Sequence, residues 1–263
     1  MRRINLPVLI FILLFCTVSQ GAFKFVAWAD NRPYDATNEA RFIWMLEQMN
    51  IIVGSEPLFH VLPGDYDYTS ITDADIAEYS LIKTCHKAPG NHDTDDFGWS
   101  NSSLDLPDEA PQARFLFLNQ YKCPDGVSGC DCSMGRVCEH TLAWLQSECQ
   151  SAPEGYPIFV VGHEPAYPAN RHVGDSLDAN TTDRDAFWTV LEKYDATYIC
   201  GHTHYYSTYS SGGATQIDLG NAGNPGESQQ TFVVFTVNDD GSVSRALHRT
   251  EYNVTANPRA TNP

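Results

Sequence analysis

Six residues able to hold a cation stand in short, mostly glycine-led loops. They are Asp30 in "FVAWADNRPYD" (25–35), Asp65 in "PGDYDY" (63–68), Asn91 in "PGNHD" (89–93), His163 in "GHEP" (162–165), and His202 and His204 in "GHTHYY" (201–206). Carboxylates and imidazoles are ligands for borderline divalent cations, and an amide oxygen is a weaker neutral one. A carboxylate has two oxygens, so one Asp can bridge two metals. Two cations about 3.5–4 Å apart clamp the attacking and leaving oxygens of an in-line displacement, and they acidify bound water. The set is large enough for two cations and too large for a single tetrahedral zinc.

These loops need elements to position them. Strand-like runs are predicted at Phe23 to Ala29, Leu58 to Pro63, Ile158 to Val161, Ala196 to Cys200 and Thr231 to Val237. Apolar residues at helical spacing fall in 38–50, 139–149 and 182–194, the last opening on a Thr/Asp cap. Strands alternating with helices indicate α/β architecture, and the ligand-bearing loops all follow strands or the stretch 81–88. In such sheets ligands bind where strands end and loops begin. A Gly precedes Asp65, Asn91, His163 and His202, which lets the backbone turn sharply beside a bound group. The tail, 232–249, reads as a hairpin around an Asp-Gly turn.

Asp30, "GDYDY", "GNHD", "VVGH" and "GHTH", in that order, resemble the calcineurin-like metallophosphoesterase superfamily over residues 23 to about 248. The resemblance implies a four-layer α/β/β/α sandwich of two mixed sheets flanked by helices, with a dinuclear centre at the strand ends. It makes Asp65 the bridging carboxylate, places Asn91, His163 and His202 with it on one metal, and Asp30 and His204 with it on the other. It makes His92 the acid that protonates the leaving alcohol and Asp93 the residue that orients it. A metal-bound hydroxide is then expected to attack phosphorus directly. Most of the family carries Asp-x-His at the first motif, whereas this chain has Asp30-Asn31-Arg32, and a guanidinium cannot be a ligand. Purple acid phosphatases also lack that His and use the Tyr of G-D-x-x-Y. Gly64 to Tyr68 fits that pattern, so Tyr68 is either a phenolate ligand favouring ferric iron or a packing residue. Arg32 either binds a substrate phosphate oxygen or pairs with a carboxylate or a tyrosine ring. His172 follows the fourth motif, where relatives place substrate contacts; a plain surface His is the alternative.

The totals bound the setting. Arg2 and Arg3 followed by the apolar run Leu6 to Val18 and Ser19-Gln20-Gly21 read as a secretory signal peptide over 1–21, too short for a membrane span. Residues 22–263 then form a single domain, with a Cys-rich, loop-rich insertion around 94–150 whose aperiodic part is 94–137. Five of the remaining seven cysteines lie at 123, 130, 132, 138 and 149, which in an exported protein implies disulfides. Sequons at Asn101, Asn180 and Asn253 are compatible with glycosylation. The formal charge is −17, a field that repels nucleic acid and anionic membranes. The expected protein is therefore a secreted (periplasmic, if bacterial) metal-dependent phosphohydrolase. It would use two divalent or mixed-valence ions of the Fe/Zn/Mn class on a small phosphate ester or phosphoprotein, with no membrane anchor. The alternative is a secreted binding protein that keeps the fold with an impaired first metal site.

Overall fold

A computed structural model describes residues 21–93, 100–122, 136–224 and 229–252. Eleven strands and four helices are seen among them. One sheet runs in the order β11 (Val243–Thr250), β10 (Gln230–Val237), β1 (Phe23–Ala27), β2 (His60–Leu62), β3 (Cys85–Lys87). The other runs β4 (Ser102–Leu106), β5 (Ala113–Phe117), β6 (Ile158–Val161), β7 (Thr197–Cys200), β9 (Ala214–Leu219), β8 (Tyr206–Ser211). Both are mixed. The parallel trios β1–β2–β3 and β5–β6–β7 end their strands on loops, and those loops carry the residues picked out above.

Five phenylalanines fasten the sheets together. Phe25 of β1 is stacked between Phe59 and Phe235 at 5.6 and 4.7 Å, and meets Phe115 and Phe159 of the opposite sheet edge-on at 5.1 and 5.0 Å. Edge-to-face pairs across the interface use the ring quadrupole that a face-to-face sandwich would oppose. Helices cover both outer faces. α1 (Ala36–Val53) presents Phe42, Met45, Leu46 and Met49 to Val26, Trp28 and Leu62, on the side it shares with α2 (Thr69–Tyr79). Asp35 caps α1 by accepting from the amides of Thr37 and Asn38 at 2.8 and 2.9 Å, and Gly54 ends it at φ 60°. α3 (Glu139–Ser151) and α4 (Thr181–Lys193) pack Leu145, Phe187, Trp188 and Leu191 on the other sheet. The result is the expected four-layer α/β/β/α sandwich.

Some details differ from the sequence reading. The stretch 94–137 is not loop throughout, since it contributes the antiparallel pair β4–β5, and β5 is buried along its whole length. Asn180, not the Thr/Asp pair, caps α4, accepting from the Asp183 amide at 3.2 Å. Cys85, Cys138, Cys149 and Cys200 are free thiols, so no disulfide forms among the described residues; Cys16, Cys123, Cys130 and Cys132 lie outside them. No described helix is long and apolar enough to cross a membrane.

Two measurements test this packing. Truncating Phe25 to Ala should cost about 3–5 kcal/mol in denaturant unfolding, because the ring is central to the inter-sheet core; a loss below about 1 kcal/mol would contradict that placement. His60 is fully buried. It accepts from Trp28 Nε1 at 3.0 Å, and its Nε2 lies 3.1 Å from the Ile82 carbonyl. Burial lowers its pKa from 6.5 to about 4. The folded state thus resists protonation that the unfolded state accepts. Stability from this group is fully present above about pH 6.5 and is lost as pH falls toward 4, by about 3 kcal/mol in all. A His60→Gln variant should lack that component, so the stability gap between the two proteins should narrow on acidification; a gap independent of pH would refute it.

Candidate metal centre

The loop after β2 turns on Gly64 (φ 106°) into Asp65 (φ 57°), and the loop after β3 lies directly against it. Asp93 holds them together. One of its oxygens accepts from the amides of Gly90 and Asp65 at 2.7 and 2.8 Å, the other from the amide of Tyr66 at 2.9 Å. The Asp93 oxygens therefore face backbone amides and not His92, the neighbour with which the resemblance paired it. The His92 ring faces Asp67, whose Oδ1 is 4.0 Å from His92 Nδ1. The amide of His92 donates instead to Asp65 Oδ1 at 3.0 Å.

His163 follows β6 and is completely buried. Its Nδ1 is 2.9 Å from the Pro63 carbonyl, which can only accept, so Nδ1 carries the proton. Burial drives its pKa down to about 3, so the ring is neutral and Nε2 is a lone pair. That lone pair faces Asn91 Oδ1 at 3.1 Å and Asp65 Oδ1 at 3.3 Å. The short His163–Asp65 contact is therefore no salt bridge, because the imidazole is uncharged. His202 lies alongside, its ring centroid 5.0 Å from that of His163. Burial lowers its pKa as well, and its Nε2 has no hydrogen-bond partner.

Asp30, Asp65 and His204 form a second group, all buried, with one ligand atom from each within 4.8 Å of the others. Asp30 Oδ2 accepts from the His202 amide at 3.0 Å; Oδ1 has no hydrogen bond and lies 3.6 Å from His204 Nε2. Burial, then the charges of Asp65 and Asp218, raise the Asp30 pKa well above the carboxylate range. Asp30, Asp65, His202 and His204 all adopt positive φ, between 57° and 75°. This left-handed region is uncommon outside glycine, though Asp and His tolerate it better than most residues. Such strain gathers at binding sites.

The rim adds further groups. Arg32 Nε donates to Asp67 at 3.2 Å, its guanidinium lies 5.0 Å over the Tyr34 ring, and its amide donates to the Asp65 carbonyl at 3.2 Å. Both partners considered from sequence are thus real, while its terminal amino groups have no hydrogen-bond acceptor among the described residues. Tyr68 is 51% exposed at the N-terminus of α2, and no hydrogen bond or ring contact joins its side chain to the cluster. His172 comes in from the loop before α4 with its ring 4.1 Å from His202, and Asp175 is 3.2 Å from His172 Nδ1. Sequence reasoning missed Arg171, whose Nη1 is 2.9 Å from His204 Nδ1, and Asn224, 3.2 Å from His204 Nε2. Asn224 carried a usable signal. "GNAGN" (220–224) is a Gly-flanked polar loop directly after β9, like the loops that were recognised.

The comparisons agree with this fold. The fold is similar to a dimetal phosphatase from Danio rerio at 15% identity and TM-score 0.60, over 82% of this chain and 92% of that one. It is similar to GAP50, the anchor in the inner membrane complex of Plasmodium, at 12% identity and TM-score 0.59, over 89% and 90%. A putative 5'-nucleotidase from Staphylococcus aureus, solved with alpha-ketoglutarate, matches at 12% identity and TM-score 0.51, over 89% of this chain and 55% of that one. At such identities the likeness establishes fold alone. Comparison with curated proteins gives no significant match. The family model for calcineurin-like phosphoesterases matches residues 37–206, well over half the sequence, and the chain belongs to that family.

Proposed function

We propose that the chain is a metal-dependent phosphohydrolase that cleaves phosphate esters at a two-cation centre. One observation carries the reading: the His163 Nε2 lone pair faces two oxygens, Asn91 Oδ1 and Asp65 Oδ1, at 3.1 and 3.3 Å. Acceptors that converge in a buried site repel one another unless a cation or proton sits among them. Asp30 Oδ1 and His202 Nε2, without hydrogen-bond partners among the described residues, add two more buried polar atoms to the same cleft. In this assignment Asp65, Asn91, His163 and His202 hold one cation, and Asp30, Asp65 and His204 hold the other. The donor set of N and O atoms suits zinc, manganese or iron. The exposure of Tyr68 weighs against a ferric phenolate. Bound cations would supply charge neutralisation and acidified water.

The chain's own groups do the rest. The free Arg32 amino groups offer donors to a non-bridging phosphate oxygen, with Nε anchored on Asp67. His92, 41% exposed at the rim and facing Asp67, is placed to give a proton to the departing alcohol. His172 lines the cleft beside His202. Two cations and Arg32 give local positive charge in a chain whose total is −17, which an anionic substrate needs. The basic start and apolar run over 2–18 support an export signal. A second reading, a binding protein of the same fold, has one specific support: the first cation position has Arg32 where an imidazole ligand would stand, leaving three protein ligands.

Metal analysis with ester assays separates the two. The purified protein should carry close to two equivalents of metal and hydrolyse an aryl phosphate monoester or diester. Asp65→Asn should lose most of the metal. His92→Ala should keep it and lose roughly 10²–10⁴ in kcat. Bound metal with no turnover of either ester would favour the binding reading.

The closeness of the two loops gives an independent check. A methyl group on Gly90 would lie 2.3 Å from Asp65 Oδ1 and 2.4 Å from its amide nitrogen. Gly90→Ala should therefore cost about 1–3 kcal/mol by overpacking and weaken metal binding together with stability. An alanine variant with wild-type metal affinity would show that the Asp65 carboxylate need not sit where it does.

A further inference from the structure

Arg171 has no place in the reading above. Arg32, Arg114, Arg136 and Arg184 each grip a carboxylate. Arg171 grips none among the described residues, although the chain has 33 acidic residues against 16 basic ones. Its side-chain contact is with a neutral acceptor, His204 Nδ1 at 2.9 Å. The loop that carries it is sharply turned, with Asn170 at φ 69° and His172 at φ 57° on either side. The guanidinium thus meets His204 at Nδ1, across the ring from Nε2, which is 3.6 Å from Asp30 Oδ1.

That contact excludes a cation on His204. A guanidinium only donates, so His204 Nδ1 must accept; a neutral imidazole has one lone pair, so Nε2 then carries the proton and meets Asn224 Nδ2 at 3.2 Å donor to donor. Ligation through Nδ1 takes the lone pair that Arg171 uses. Ligation through Nε2 moves the proton to Nδ1, where it meets the guanidinium donor to donor. Either way, a cation held by His204 frees Arg171 from that contact, next to His172 and with no carboxylate paired to it among the described residues. Guanidinium forks match phosphate and carboxylate oxygens two at a time.

We propose that Arg171 is the arm of a second anion-binding subsite, which takes an oxyanion group of the substrate other than the phosphoryl group transferred. The preferred substrates then carry two anionic groups, as diphosphates, bisphosphates or phosphorylated carboxylic acids do. The inference rests on the two-cation reading, since the cation is what releases the arm.

Calorimetry on the zinc- or manganese-loaded full chain tests this, with metal content checked before and after. The probes are methylphosphonate, with one anionic group, and methylenediphosphonate and phosphonoacetate, with two. For at least one two-group probe, the preference over methylphosphonate should fall roughly 10- to 100-fold in Arg171→Ala and less in Arg171→Lys. The probe that responds identifies the second group as phosphate or carboxylate. An equal loss on all three probes would assign Arg171 to the transferred group and overturn the inference, as would no change on any. Wild-type protein that turns over no ester, yet shows the Arg171-dependent preference, would sink the hydrolase reading and leave the subsite standing.

Discussion

The Asp93 carboxylate is the constraint on which the centre depends. It is buried beside another carboxylate, Asp65, and both burial and that charge push its pKa well above the usual range. What opposes them is three backbone amides, from Gly90, Asp65 and Tyr66. Those amides belong to two different loops, so the bonds that make a buried carboxylate tolerable also fix the loop after β2 to the loop after β3. Asp65, Asn91 and His92 become one rigid unit. Two further bonds tie in the opposite sheet: His163 Nδ1 donates to the Pro63 carbonyl, and Asp30 accepts from the His202 amide. The cleft is therefore built largely by its own polar groups, on a scaffold whose aromatic core only sets the distance between the sheets.

The same burial that stiffens the centre makes it a poor place for its own atoms. Asp30 and Asp65 are raised in pKa and His163 and His202 lowered, so burial drives these four groups toward their neutral forms. A set of lone pairs pointed inward in low dielectric, on backbone held in the left-handed region, is locally unfavourable in several ways at once. Such a conflict persists in a folded protein when a bound partner resolves it. A divalent cation does so for every group together, because it favours the ionised carboxylate and the neutral imidazole alike.

The strand-end residues were legible in the sequence because each signal was local: an apolar run, a Gly and a ligand type within a few positions. β1, β6 and β7 and helices α1, α3 and α4 were legible for the same reason, through periodicity. The pair β4–β5 was not, since "ARFLF" is a short buried run inside a polar, cysteine-bearing stretch and says nothing about which sheet edge it joins. α2 has almost no amphipathic pattern, with only Thr72, Asp75 and Ile76 buried. The contacts of Asp93 were not legible, because the turn points its carboxylate back at backbone from 28 residues earlier, whereas the resemblance paired it with its neighbour His92. Arg171 and Asp67 act through contacts 33 and 35 residues away in sequence, and one-dimensional spacing carries no such information.

Arg32 is where composition and geometry pull in different directions. A guanidinium near the first cation position should weaken it by charge repulsion, and its field does lower the pKa of Asp30 and Asp65. Yet Arg32 is not a bare charge. Asp67 holds its Nε, Tyr34 lies under its plane, and its amide is tied to the Asp65 carbonyl. Asp67 offsets the guanidinium charge and, from the same carboxylate, faces His92. Phosphate drawn to the open amino groups of Arg32 would arrive beside the proton donor that Asp67 also positions. In the proposed reading, Asp67 would therefore couple the anion-binding group to the acid, since its one carboxylate meets Arg32 and faces His92.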